Sequence, residues 1–215
     1  MYLPESFEET RVESMHDLIR CYPLATLVTL SSGSLNANHI PFYLSENPQP
    51  FGTLQGHVAR SNPLWRNLSS DIEALVVFHG PEAYISPSWY ATKRETDRVV
   101  PTWNYVVVHA YGTLRSIEDA HWIRLHLDNL TAHQESEFSE PWKVADAPTE
   151  FLDEMINAIV GIEMVITKLT GKWKISQNQS KSNKAGVING LRERSGPWAL
   201  IMSDLVASHY DENDS

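Results

Sequence analysis

Cysteine is almost missing from this chain of 215 residues, where Cys21 stands alone. A single thiol excludes an internal disulfide and any multi-cysteine metal site, and it fits a reducing compartment. Cys21 falls at the expected end of an amphipathic helix, so a buried structural thiol is expected. Long apolar runs are missing too. No segment approaches a membrane span, and the amino terminus has neither the basic nor the apolar part of a secretory signal, so a cytoplasmic location and no membrane partner are expected. Positive charge is scarce: 17 Lys and Arg face 27 Asp and Glu, a formal net charge of −10. That balance keeps the chain soluble but repels phosphate backbones, which disfavours generic nucleic-acid binding. No helix-turn-helix is evident. The dinucleotide glycine fingerprint, the Gly-x-Ser-x-Gly elbow and the His-Glu-x-x-His zinc helix are absent. Gly171-Lys172 imitates the end of a P-loop, but the upstream glycine spacing is lacking and Trp173 stands where a hydroxyl residue is required. Asn67, Asn129 and Asn178 open glycosylation-type triplets that have no secretory route to serve.

What is present suits one large domain, 1–215, with 42% hydrophobic content, a helical tail from about residue 183, and no repeat or low-complexity linker. Ser6 followed by Glu9 reads as a capping box for a first helix through Val12, Met15 and Ile19, stopped at Tyr22-Pro23. Residues 25–30 and 35–44 read as a hairpin closed by Ser31-Ser32-Gly33-Ser34. Asn47-Pro48-Gln49-Pro50 breaks the chain before a strand at 53–57, and 60–68 reads as a short helix near Asn62-Pro63. Strands follow at 73–78 and, as one long element, at 103–117, with an exposed charged loop at 91–98 between them. Helices are expected at 119–133 and 148–159, a strand at 161–168, and a helical tail interrupted at Ser195-Gly196-Pro197, with fraying over 211–215. Consecutive antiparallel strands would then form the barrel. Composition and order alone support an α+β chain, an antiparallel barrel plus helices.

Three dense polar and aromatic clusters interrupt this pattern: Gly56 to Pro63 (GHVARSNP), Ala83 to Tyr90 (AYISPSWY) and Val100 to Tyr105 (VPTWNY). A core needs apolar alternation and has no use for cations, amides, hydroxyls and indoles gathered together, so these clusters point to a planar polar ligand bearing negative charge. His121, His126 and His133 do not share one helical face and read as solvated or packed, with His133 and Glu135 a minor acid-base or metal candidate. No covalent nucleophile is recognisable, and no metal site is assigned.

Together with Met1-Tyr2-Leu3-Pro4, Ala37 to Phe42 (ANHIPF) and Gly171 to Asn178 (GKWKISQN), the clusters resemble the PaiB family over nearly the whole chain. That family is described as FMN-binding negative transcriptional regulators. The resemblance implies a flavin reductase-like split β-barrel with peripheral helices, related to pyridoxamine-phosphate oxidases, in which two protomers build FMN sites across their interface. A homodimer is thus expected. FMN carries a phosphate, a polar ribityl chain and a three-ring isoalloxazine, and so needs cations and hydroxyls at one end and amides or aromatics at the other.

Arg60, with Ser61 and Asn62 at a helix start, offers a guanidinium fork and backbone donors to the phosphate; the alternative is a surface arginine paired with an acid. Asn38, His39 and Ile40 lie on the strand that, by the resemblance, faces the ring, and His39 and His57 read equally as half-buried strand histidines. Thr102, Trp103 and Asn104 can reach the ring or ribityl chain, although Trp103 also suits the barrel interior. Ser86 and Lys93 bracket Trp89 and Tyr90, a segment that either covers the site or binds a second substrate. Lys172, Lys174, Gln177 and Asn178 form a late cation-amide cluster able to complete a site. Three functions compete: an FMN-binding regulator, an FMN-dependent oxidoreductase in which the flavin performs the redox step, and a haem-binding barrel with His39, His57 or His133 as axial ligand. DNA as a partner rests on the resemblance alone.

Overall fold

A computed structural model describes residues 1–31, 33–69 and 71–211. In chain order the strands are β1 (Glu8–Glu9), β2 (Leu24–Ser31), β3 (Ser34–Pro41), β4 (Tyr43–Ser45), β5 (Thr53–Ala59), β6 (Ala74–Ile85), β7 (Thr102–Gly112), β8 (Leu114–Ile117), β9 (Ile159–Val165) and β10 (Lys168–Lys174). The helices are α1 (Val12–Cys21), α2 (Lys93–Thr96), α3 (Ala120–Glu135), α4 (Thr149–Asn157), α5 (Lys181–Arg194) and α6 (Pro197–Asp211). Among the described residues the strands form two sheets, ordered β1-β10-β7-β6-β2-β3 and β4-β5-β9-β8. By contact the chain divides into two compact units, Val12–Phe78 with His109–Leu169, and Met1–Arg11 with His79–Val108 and the chain from Thr170 onward.

The unit beginning at Val12 holds the hairpin. β2 and β3 pair from Leu24↔Pro41 to Ser31↔Ser34, and Gly33 takes the φ of +77° that the turn requires and that an L side chain resists. β2 alternates, burying Ala25 and Leu27, because a period of two sends successive side chains to opposite faces. β3 is a terminal strand of its sheet. β4, β5, β9 and β8 pair antiparallel, with Leu54, Ile162 and Met164 buried along them. Phe42 meets Phe78 edge to face at 6.3 Å. The Asp119 carboxylate accepts the Trp122 N–H at 2.7 Å and so caps α3, which places Ile123 against Val144, Leu152 and Ile156. Each such buried aliphatic side chain stabilises the fold by about 1.5–3 kcal/mol relative to exposure.

In the other unit β1 pairs with β10 through Glu8↔Lys172 and Glu9↔Gly171. α5 and α6 follow, α5 capped by the Ser180 hydroxyl, which accepts from Asn183 N–H. Trp89 lies directly on Gly186 and Gly190 of α5, where a Cβ would overlap its carbonyl or its indole. Two glycines on one helical face thereby seat the Trp89-Tyr90 segment.

Several expectations are corrected. The Ser6–Glu9 capping box does not form: a short 3-10 turn, Glu5–Phe7, runs into β1, and the Glu9 carboxylate accepts from the Arg11 backbone and guanidinium instead. Sheet pairing to β10 claims the backbone that the helix would need. The strand expected over 35–44 ends at Pro41 and resumes as β4 in the other sheet, and that over 103–117 ends at Gly112, with β8 likewise in the other sheet. At Gly112 a Cβ would overlap the Val165 carbonyl. β10 was not anticipated, because its Lys-rich sequence masks a strand. Sheet neighbours are only partly consecutive: β2-β3, β4-β5, β6-β7 and β8-β9 are, while β9 and β10 return to pair with the early strands β5 and β1. The 91–98 loop contains α2, and Cys21 is exposed. The interrupted tail appears as α5 and α6, with Ser195 at φ +48° between them. Of the fraying expected over 211–215, Asp211 instead ends α6, while 212–215, and Ser32 of the hairpin turn, lie outside the described residues. Among the described residues no helix is long and apolar enough to cross a membrane.

Candidate functional site

The unit beginning at Val12 contains a cleft of about 420 Å³ lined by Thr29 and Ser31 of β2, Asn36, Ala37 and Asn38 of β3, and Ser61, Asn62, Pro63, Leu64 and Asn67. Three of the sequence candidates, Asn38, Ser61 and Asn62, meet here. The hairpin register sets Thr29 opposite Asn36, and the chain leaving β5 turns back as Asn62 N–H donates to the Ala59 carbonyl. Asn62 then acts twice. Its Oδ1 accepts the Leu64 N–H at 2.9 Å, capping the 3-10 turn Pro63–Arg66, and its Nδ2 donates to Asn38 Oδ1 at 3.1 Å. Among the described residues no lining side chain is ionised, and the buried Thr29 hydroxyl has no hydrogen-bond partner. A buried hydroxyl left unpaired costs about 1–3 kcal/mol, so Thr29 favours a polar partner, a ligand group or a water.

Arg60 does not line that cleft. Its guanidinium donates to the Asn157 carbonyl at 2.7 Å, to Glu118 Oε2 at 2.6 Å and to the Ile159 carbonyl at 3.1 Å, and it sits 5.8 Å from the Trp65 ring. The acidic pairing weighed for it from sequence is the one observed. Arg66 stacks on Trp65 as well, at 4.7 Å.

The second unit gathers four other candidates, Thr102, Asn104, Lys174 and Asn178, in a cleft of about 330 Å³. Asn104, 1% exposed, donates to Ser176 Oγ at 2.9 Å, and Ser176 is itself buried with φ +67°. Lys174 Nζ donates to Thr102 Oγ1 at 2.6 Å and to the Trp103 carbonyl. Burial, aided by the charge of Lys172, holds the Lys174 ammonium below its ordinary pKa. Asn183 Oδ1 accepts from the Thr92 N–H and hydroxyl, both at 3.2 Å, which fixes the wall that Tyr90 and Thr92 form.

The remaining candidates fall outside both clefts. His39 is exposed, its Nδ1 3.2 Å from the Thr26 hydroxyl, and Ile40 is buried in the core. His57 Nδ1 lies 3.1 Å from Nε2 of His126, which stacks on Trp122. Burial lowers both pKa values, that of His126 to about 4 with the His57 charge contributing. Trp103 is 51% exposed and meets Tyr84 edge on at 5.9 Å, lining a separate cleft with Trp198. Gln177 braces its own turn, accepting from Ile175 N–H and donating to the Trp173 carbonyl. Lys172 donates to the Tyr2 carbonyl at 3.1 Å. Lys93 reaches Ser88 at 3.4 Å, and His133 faces the Arg20 carbonyl at 3.3 Å rather than Glu135. Sequence reading missed Thr29, Asn36 and Asn67 in the first cleft, and Arg98, Ser176 and Asn183 in the second. The repeat Asn36-x-Asn38, two amides on one strand face, was the available signal for Asn36.

Two antiparallel sheets with a polar cleft against a terminal strand define the class, a split barrel of α+β type. The family model described as "Putative FMN-binding domain" matches residues 1–168. An uncharacterized protein of Emericella nidulans is 34% identical over 249 residues, covering 100% of this chain and 99% of its own. The protease synthase and sporulation protein PAI 2 of Bacillus subtilis is 30% identical over 209 residues, covering 96% of each. Among solved structures, the FAD and haem binding protein from Mycobacterium smegmatis has a TM-score of 0.58 at 20% identity, covering 78% of this chain and 73% of that one. The protein Rv2991 from Mycobacterium tuberculosis has a TM-score of 0.59 at 12% identity, covering 84% and 94%. The chain belongs to the FMN-binding family that this model describes, and the PaiB resemblance and split-barrel fold read from the motifs are borne out.

Proposed function

We propose that this protein is a cytoplasmic FMN-dependent redox protein that works as a homodimer and seats its flavin in the hydroxyl and amide cleft beside β3. The observation that carries this reading is the cleft's donor set, Asn36, Asn38, Ser61 and Asn62 with a Thr29 hydroxyl that has no partner among the described residues. That donor set fits FMN: hydroxyls and carboxamides match the ribityl chain and the polar rim of the ring, and no carboxylate opposes the phosphate. The flavin, when bound, supplies one- and two-electron transfer; these side chains orient it. Dimerisation is supported by the hairpin, where Leu24, Leu30 and Leu35 are exposed, Leu35 at 76%, on or beside a terminal strand with a free backbone edge.

A regulatory role through DNA, which the family resemblance supplies, is opposed by the net charge of −10 and ranks below redox chemistry. Fluorescence titration tests the site. Asn38→Ala and Ser61→Ala are expected to weaken FMN and riboflavin together, by up to about tenfold, as loss of a net hydrogen bond implies. Unchanged affinity for both ligands in both variants would remove the flavin from this cleft.

A further inference from the structure

The cleft of the second unit carries chemistry that the flavin reading leaves unused. In a chain with ten more acids than bases, its lining contains Lys174 and Arg98 and not one carboxylate. Lys174 spends two donors on neutral oxygens, the Thr102 hydroxyl and the Trp103 carbonyl, and among the described residues no acid pairs with it. Its third N–H is uncommitted. Arg98 stands on the exposed rim, and among the described residues its guanidinium has neither a hydrogen bond nor an ion pair. Arg11, Arg20, Arg60, Arg115 and Arg124, by contrast, are each paired with an acid.

The walls are of two kinds. Asn104 pairs with Ser176 and Asn183 with Thr92 through amides and hydroxyls, while Phe7, Tyr90, Val99 and Val100 add an apolar side. Ser176 holds the left-handed φ of +67° beside Lys174, a conformation that costs about 1 kcal/mol or more and persists where the surroundings enforce it. The volume of about 330 Å³ is at the small end for ligand sites.

We propose that this cleft binds a small organic anion, a carboxylate or a phosphate monoester, distinct from the flavin. Lys174 and Arg98 grip its charged end, and Tyr90, Val99 and Phe7 receive its apolar body. A carboxylate or phosphate would take the free ammonium N–H and the guanidinium fork as charge-assisted bonds, the strong kind of polar contact. The proposal requires only that the flavin phosphate sits outside this cleft.

The test is isothermal titration of the full-length, FMN-supplemented protein with benzoate, with phenyl phosphate and, as the neutral control, with benzyl alcohol. One or both anions are expected to bind, and benzyl alcohol at least tenfold more weakly; which anion is preferred tells carboxylate from phosphate. Lys174→Gln and Arg98→Gln are each expected to weaken the bound anion about tenfold or more, the usual loss for a charge-assisted bond. Arg98 is an exposed rim residue, so its variant tests the site even if Lys174→Gln fails to fold. The ratio of FMN to riboflavin affinity should not change in either variant. No binding of either anion below about 10 mM, where contact is no longer specific, or equal binding in wild type and Arg98→Gln, would overturn the proposal. So would a selective loss of FMN over riboflavin on Lys174→Gln, because the cleft would then seat the flavin phosphate.

Discussion

The two clefts take opposite approaches to charge. In the unit that holds the hairpin, asparagines and serines line the cleft, Arg60 outside it is tied to Glu118 and two carbonyls, and burial lowers the pKa of both His57 and His126. In the other unit, Lys174 and Arg98 face a cleft without a single acid. The lesson is that a cation's worth as a ligand depends on what already satisfies it. Arg60 looks the better anion fork by sequence, yet its guanidinium is engaged inside the protein, whereas Lys174 keeps one N–H and, among the described residues, Arg98 keeps its fork.

The largest expected effect would break the neutrality of the first region. The His126 pKa is depressed from 6.5 to about 4 by burial and then by His57. Above about pH 6.5 both folded and unfolded chains carry the neutral ring, and the stability is fully present. As pH falls from there toward 4, the unfolded chain binds a proton that the folded one refuses, so stability is lost. At about 1.36 kcal/mol per pKa unit the loss is on the order of 3 kcal/mol. Urea midpoints at pH 7.5 and pH 4.5 should show it in the wild type and show much less of it in His126→Gln; an equal drop in both would place the acid sensitivity elsewhere.

A smaller effect sharpens the contrast between paired and unpaired cations. Arg60→Ala is expected to lower stability by about 1–2 kcal/mol through the lost bonds to Glu118 and the Asn157 and Ile159 carbonyls, with the partly exposed ion pair contributing little of it. FMN and riboflavin affinities should change in parallel. A loss confined to FMN, read by fluorescence titration, would return Arg60 to the phosphate.

The smallest effect is a near absence. Two cations in a narrow cleft cannot track a phosphate backbone, so the FMN-loaded protein should prefer its own upstream DNA over random DNA by less than about threefold near 0.15 M salt, far below the 10³-fold typical of specific binders. Competition binding checks it, and a preference approaching 10³-fold would restore direct regulation.

Much of this molecule was legible without coordinates. The helix at α3, the hairpin and the interrupted tail followed from periodicity and turn residues, because these are local signals. The polar clusters and the family were legible too, since residue types out of place in a core stand out in any order. Element ends were less so: nothing near Phe42 or Gly112 announces that the strand leaves one sheet for another, a choice made by partners such as Gln55 and Met164 that lie far along the chain. The amino-acid sequence by itself determined which donors and cations the protein owns. Only the tertiary structure decided which of them remain available, setting Arg60 against Glu118 and leaving Lys174 without an acid among the described residues, because pairing depends on residues 58 or more positions apart meeting in space.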